Sequence, residues 1–185
     1  MVSLSELWLP ILLSAVVVFL ASWLIHMILP HHRSDYGKVP KEDEVMAALR
    51  TFNIPPGDYW MPRPANMADM KTPAFVEKQQ KGPVVWMTVM PPGDFMGTAL
   101  GQWFVYCLVV SLFAAYLTSR ALDRGAPYLE VSQMASTTAF VGYGLALWQN
   151  SIWYRRKWST TLKSNLDSIV YGFLTGGVIG WLWPR

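Results

Sequence analysis

Apolar residues along the chain gather into four blocks, each close to the roughly 20 residues that a helix needs to cross about 30 Å of hydrocarbon. The first, from about Leu7 to Leu29, holds no charge and is interrupted only by Ser14, Ser22 and His26. A cleaved signal peptide fits it poorly: the leading residues to Glu6 include no basic residue, the run is too long, and small-residue cleavage chemistry is missing after Pro30. The second block, about Ala99 to Leu122, and the third, about Val131 to Tyr154, are less apolar but long enough. The fourth, about Leu162 to Trp183, carries Asn165 and Asp167 early and then runs uninterrupted through IVYGFLTGGVIGWLW. The pattern predicts an all-α membrane protein with four transmembrane helices.

Between the first two blocks lies a stretch too long and too patterned for a tether. After Pro40 the acids of KEDE lead into Val45, Ala48, Leu49 and Phe52 at helical spacing, which predicts a short amphipathic helix ended by Pro55-Pro56. A second short helix is predicted from Pro73 to Lys81, stopped by Gly82. Val84 to Met90, β-branched and aromatic, fits a strand or an apolar segment on the membrane surface. The tetrapeptide PPGD occurs at Pro55 to Asp58 and again at Pro91 to Asp94, and two Pro-Gly turns closing a small cap explain it better than a repeat. Three parts follow: residues 1–29 as the first transmembrane helix, 30–98 as a membrane-associated α/loop cap, and 99–185 as a three-helix transmembrane bundle.

Composition agrees, with 52% hydrophobic and 15% charged residues among 185. The net charge of +3 invites a nucleic-acid reading until the basic residues are located. The 30–98 stretch balances Arg33, Lys38, Lys41, Arg50, Arg63, Lys71, Lys78 and Lys81 against Asp35, Glu42, Asp43, Glu44, Asp58, Asp69, Glu77 and Asp94, so it is neutral. The excess sits in Arg155, Arg156, Lys157 and Lys163 between the third and fourth blocks, and such short basic loops stay cytoplasmic. The cap is therefore expected in the cytoplasm of a bacterial inner membrane, with both termini periplasmic. A nucleic-acid partner is excluded on this reading. A single cysteine, Cys107, rules out a disulfide framework and a cysteine zinc site.

Candidate chemistry is sparse. His31 and His32, with Asp35 near, could ligate a divalent ion, but their spacing fits no known motif and polar rings at a membrane boundary need no metal. His26, a turn inside the first block, reads as an interhelical hydrogen bonder or headgroup contact, and as an intramembrane ionisable group it stays a functional candidate. Asp167 needs a partner or a proton at its depth; Lys163 on the same helix face, or Arg155, Arg156 or Asn150 from the loop, is expected to provide it. The ten methionines show no clustering with histidine and read as packing rather than copper ligands. No nucleotide-binding, nucleophile-elbow or HExxH motif occurs. No cofactor and no metal is assigned, and no enzyme is predicted.

The clearest physical motif is Gly172-x-x-x-Gly176-x-x-x-Gly180, which lays three glycines along one helix face. In lipid such a face is a helix packing surface, and Ala135, Ala139, Gly142 and Ala146 on the third block are its expected counterpart. Tryptophans such as Trp103, Trp148, Trp153, Trp158, Trp181 and Trp183 fall near block ends, where aromatic belts form.

The segment FVGYGLALWQNSIWYRRKWSTTLKSNLDSIVYGFLTGGVIGWLW, with its Asn-aromatic helix end, short basic turn and Gly-containing last helix, resembles the C-terminal half of an uncharacterised family of small four-helix bacterial membrane proteins. The resemblance covers about a quarter of the chain and implies topology, not a reaction. The expected role is a non-catalytic accessory or scaffold subunit that packs against other integral membrane proteins and lipid in a larger complex, with energy transduction one setting for it. The alternative is a small ion-coupled transporter using Asp167 and His26.

Overall fold

The computed structural model describes residues 2–185 and is mostly helical. Two helices are long and apolar enough to cross a membrane: Leu4–Ile28 and Met96–Ala121. The first is built from a 3-10 turn at Leu4–Leu7, helix α1 over Trp8–Trp23, and a widened π turn at Leu24–Ile28. The chain divides into two compact units, one of residues 1–37 and 95–185, the other of residues 38–94. Residues 30–37, which the sequence places with the cap, belong with the helical unit.

In the smaller unit, α2 (Glu42–Thr51) carries Glu42, Asp43 and Glu44 in its first turn, where they face the positive end of the helix dipole. Helix α3 (Pro73–Lys81) has the predicted bounds: Thr72 Oγ1 caps it by accepting from the Phe75 amide, and Gly82 leaves it at φ +60°. Strand β2 (Val85–Val89) pairs antiparallel with β1 (Gly57–Met61), a strand the sequence pattern does not announce. Gly57 stands opposite Val89, so the two PPGD turns sit at the same end of the ribbon. Trp60 and Trp86 are cross-strand partners whose rings stack at 4.9 Å, and Thr88 donates to Asp58 at 2.6 Å.

The larger unit contains α4 (Met96–Ala121), α5 (Tyr128–Gly144), a 3-10 turn at Leu145–Leu147, α6 (Trp148–Trp153) and α7 (Trp158–Trp181). The third apolar block is thus not one helix: it breaks after Gly144. Helix α1 packs on α4 and α7, α4 also on α5, and α5 most extensively on α7.

The α5–α7 seam uses the three glycines. A Cβ on Gly176 would collide with the Ser136 hydroxyl and the Ser132 carbonyl, and one on Gly172 would stand 2.9 Å from the Ser136 carbonyl. One on Gly180 would meet the Tyr128 ring at 3.0 Å. The opposing face is therefore Tyr128, Ser132, Ser136 and Phe140 rather than Ala135, Ala139, Gly142 and Ala146. Ala135 and Ala139 are fully buried, and Gly142 lies against Val110 of α4.

Small residues dominate the interior. Ala15, Ala114, Ala115, Ser14, Ser111, Thr118, Thr161 and Thr175 are buried, while Leu20, Trp23, Phe113, Leu166, Phe173 and Trp181 stand exposed. Several buried hydroxyls close onto their own helix, Thr118 to the Ala114 carbonyl at 2.7 Å and Ser168 to that of Ser164 at 2.7 Å. At one end of the bundle Glu6 pairs with Arg124, the Gly125 amide donates to the Pro184 carbonyl at 2.9 Å, and Trp183 Nε1 donates to the Asp123 carbonyl at 3.1 Å.

Candidate functional site: a histidine–aspartate cluster

The other end of the bundle collects a histidine–aspartate–lysine group. Pro30 forces the preceding Leu29 into extended backbone (φ −74°, ψ 140°), which ends the first helix, and then opens a tight 3-10 turn over Pro30–Ser34. Three residues per turn bring i and i+3 into register. His32 accordingly lies over Asp35, with Nδ1 2.7 Å from Asp35 Oδ2. The same turn folds back toward α7, where His32 Nε2 lies 2.7 Å from Asp167 Oδ2 and His31 Nε2 lies 3.2 Å from Asp167 Oδ1.

Lys163, one helical turn before Asp167, does not pair with it. Its ammonium donates to Asp35 Oδ1 at 3.0 Å, to Ser34 Oγ at 2.8 Å and to the His31 carbonyl. The carboxylate expected to take the lysine takes two imidazoles, and the lysine holds the turn that carries them. Asn150 stays outside the cluster: its carbonyl accepts the Tyr154 and Arg156 amides at the end of α6. Arg156 lies over the Tyr36 ring, 6.0 Å from its centre. The polar partner of the α6 region on α7 is Asn165, which accepts from Trp148 Nε1 at 3.0 Å.

His26 joins from the π turn, where the Leu29 amide reaches back five residues to the Leu24 carbonyl at 3.2 Å. Its ring stacks on His32 with centres 4.3 Å apart. One ligand atom from each of His26, His32 and Asp167 lies within 4.8 Å of the others. Below this layer, Trp103 of α4 donates to Ser22 at 2.8 Å, and its ring lies among those of Tyr106, Tyr143 and Tyr171. The cluster thus has an aromatic floor.

The side chains of His32, Asp35 and Asp167 are 11%, 6% and 8% exposed. Burial pushes the Asp35 carboxyl up, but hydrogen bonds from His32 and Lys163 together outweigh it and hold its pKa below the ordinary value. His32 is held by a carboxylate on each ring nitrogen, whereas a neutral imidazole has a single N–H. One of the two contacts therefore needs a second positive centre, a proton or a metal ion, beyond the single N–H. The formal charges agree, since Asp35 and Asp167 face one ammonium, Lys163.

At the Arg124 end, a cavity of about 460 Å³ is lined by Gly125, Tyr128, Gly180, Trp181, Trp183 and Arg185. Against known proteins, no family profile, no curated protein and no solved structure matches the chain.

Proposed function

We propose that the chain is a four-span membrane protein and acts as a non-catalytic accessory or scaffold subunit of a larger bacterial inner-membrane complex, packed against other integral membrane proteins and lipid. The observation that carries this is the inverted distribution of side chains. Serine, threonine, alanine and glycine make up most of the buried positions, with Leu7, Val18, Val131 and Ile179 among them, while many of the leucines, phenylalanines and tryptophans of α1, α4 and α7 face outward. A soluble protein hides its large apolar groups and a monomer rarely exposes a contiguous patch beyond a few hundred Å². In lipid the preference reverses, because small residues let helices approach closely while bulky ones meet acyl chains.

The two ends of the bundle support the alternating course. Glu6, Arg124 and Pro184 meet at one end, and His31, Lys163 and the turn before α7 meet at the other. With Arg155, Arg156 and Lys157 at the second end, that end faces the cytoplasm and the termini face the periplasm.

A second reading, a small ion-coupled carrier, draws on one specific observation: Asp167 and His32 are titratable groups in contact. Asp167→Asn separates the two, because asparagine keeps the shape and cannot exchange a proton. Wild type and variant, reconstituted in vesicles with an imposed pH gradient, should show no proton-coupled flux, and native mass spectrometry of gently solubilised membranes should find the same partner subunits on both. Flux in wild type that is abolished in a folded Asp167→Asn protein would sink the scaffold role in favour of the carrier.

A further inference from the structure

We propose that His26, His32 and Asp167 form a binding site for one divalent transition-metal ion of the zinc type, with Asp35 orienting His32 through its other ring nitrogen. The proposal goes beyond the scaffold role and does not depend on it.

Four observations converge on the site. First, the donor set of two imidazoles and one carboxylate is one that zinc and its neighbours accept. The three donors come from separate places in the chain, a π turn, a 3-10 turn and α7, yet their ligand atoms lie within 4.8 Å of one another. Second, His32 Nε2 and Asp167 Oδ2 already converge to 2.7 Å, so these two donors point at a common position. Third, the Asp35–His32 contact at 2.7 Å is the carboxylate–histidine arrangement that fixes the tautomer of a metal-bound imidazole: Nδ1–H donates to Asp35, so Nε2 presents its lone pair inward. Fourth, Lys163 pairs with Asp35, and among the described residues the ion-pair partners of Asp167 are the imidazoles of His31 and His32.

Geometry also states what binding must change. Donors about 2.0–2.1 Å from a tetrahedral ion stand about 3.3 Å apart. The Asp167–His32 pair at 2.7 Å has to open slightly, and His26 has to swing in from its stacked position. His26 is the exposed member of the three, and its ring contact here is the stack on His32. His31, 3.2 Å from the second Asp167 oxygen, is placed to fill a fourth position or to leave it to water.

The test uses the full chain in detergent, stripped with chelator and titrated with Co²⁺, whose visible ligand-field bands report coordination number, followed by displacement with Zn²⁺. One Co²⁺ per chain should bind with the intense bands of a four- or five-coordinate site, and Zn²⁺ should erase them. His26→Ala, a change at an exposed position that removes the stacking contact with His32 but no buried side chain, should weaken binding at least tenfold, as should His32→Ala and Asp167→Asn. Asp35→Asn should keep the stoichiometry and lose on the order of 10- to 100-fold in affinity. Far-UV circular dichroism on each variant establishes that it is folded. The pale spectrum of a hydrated octahedral ion in wild type, or equal Co²⁺ affinity in wild type and folded His26→Ala, would overturn the site.

Discussion

Replacing Gly176 by alanine adds one methyl group at the tightest point of the α5–α7 seam. The new Cβ would stand 2.7 Å from the Ser136 amide nitrogen and closer still to the Ser132 carbonyl and the Ser136 hydroxyl. Ordinary contact begins near 3.4 Å, so relief by translation alone requires the helices to part by about 0.7 Å or more at this point. The hydroxyl can rotate away; the Ser132 carbonyl and Ser136 amide belong to the α5 backbone and cannot. Overpacking of this kind costs about 1–3 kcal/mol. Gly177, one residue on, is an internal control: its Cβ would meet only the Tyr128 hydroxyl, at 3.7 Å. There alanine should act through helix propensity and stabilise by up to about 1 kcal/mol. The two neighbouring substitutions, chemically identical, should therefore act in opposite directions and differ by about 1–4 kcal/mol. Reversible unfolding in mixed micelles, followed by far-UV circular dichroism against the mole fraction of denaturing detergent, measures both. Equal stability for Gly176→Ala and Gly177→Ala would refute the close-packed seam.

Trp148→Phe removes the donor to Asn165 Oδ1 at 3.0 Å and leaves a buried amide oxygen short of a partner, so stability should fall by about 1–2 kcal/mol in the same unfolding assay. In the smaller unit, Trp60→Val should abolish the exciton couplet that the stacked Trp60–Trp86 pair gives in the far ultraviolet and weaken the ribbon by about 1 kcal/mol, leaving the helical signal intact. A reporter fused after Arg185 should behave as exported, and one active only in the cytoplasm would reverse the proposed orientation.

What the sequence tells about this fold depends on the range of the forces involved. Helix α3 has the bounds that Pro73 and Gly82 dictate, and β2 falls within the predicted Val84–Met90 segment, because both are governed by local backbone chemistry. Strand β1 has no signature of its own in the sequence, since GDYWM is short and begins in a turn; its pairing with β2 makes it a strand. The three glycines of α7 are legible as a packing face, but their counterpart is not. Both the alanine row and the serine row of α5 are small; the serine row meets the α7 glycines, while Gly142 lies against Val110 of α4. The break after Gly144 was hidden by a continuous apolar composition on both sides.

The histidine cluster shows the same division. Each of His26, His31, His32, Asp35, Lys163 and Asp167 is visible as ionisable near a helix end, and the i to i+4 rule makes Lys163 the nearest partner of Asp167. The structure crosses the pairs because the turn after Pro30 bends toward α7 and brings Asp35 within reach of Lys163 and His32 within reach of Asp167. The direction of that bend is a tertiary property. A neutral-histidine charge count over the six residues could have flagged the imbalance, two carboxylates to one ammonium, without giving the geometry.

The small-residue interior has a consequence for how this chain can diverge. Information about the fold is stored where side chains are least: a methyl added at Gly176 meets backbone, whereas Leu166 and Phe173 look outward and meet no such limit of size. Descendants should therefore lose resemblance fastest in the bulky residues that dominate alignment scores, and keep a sparse lattice of glycine, alanine, serine and threonine that carries little weight in them. A search keyed to that lattice, and to the spacing of its tiny side chains along α5 and α7, should recover distant kin that ordinary similarity passes over.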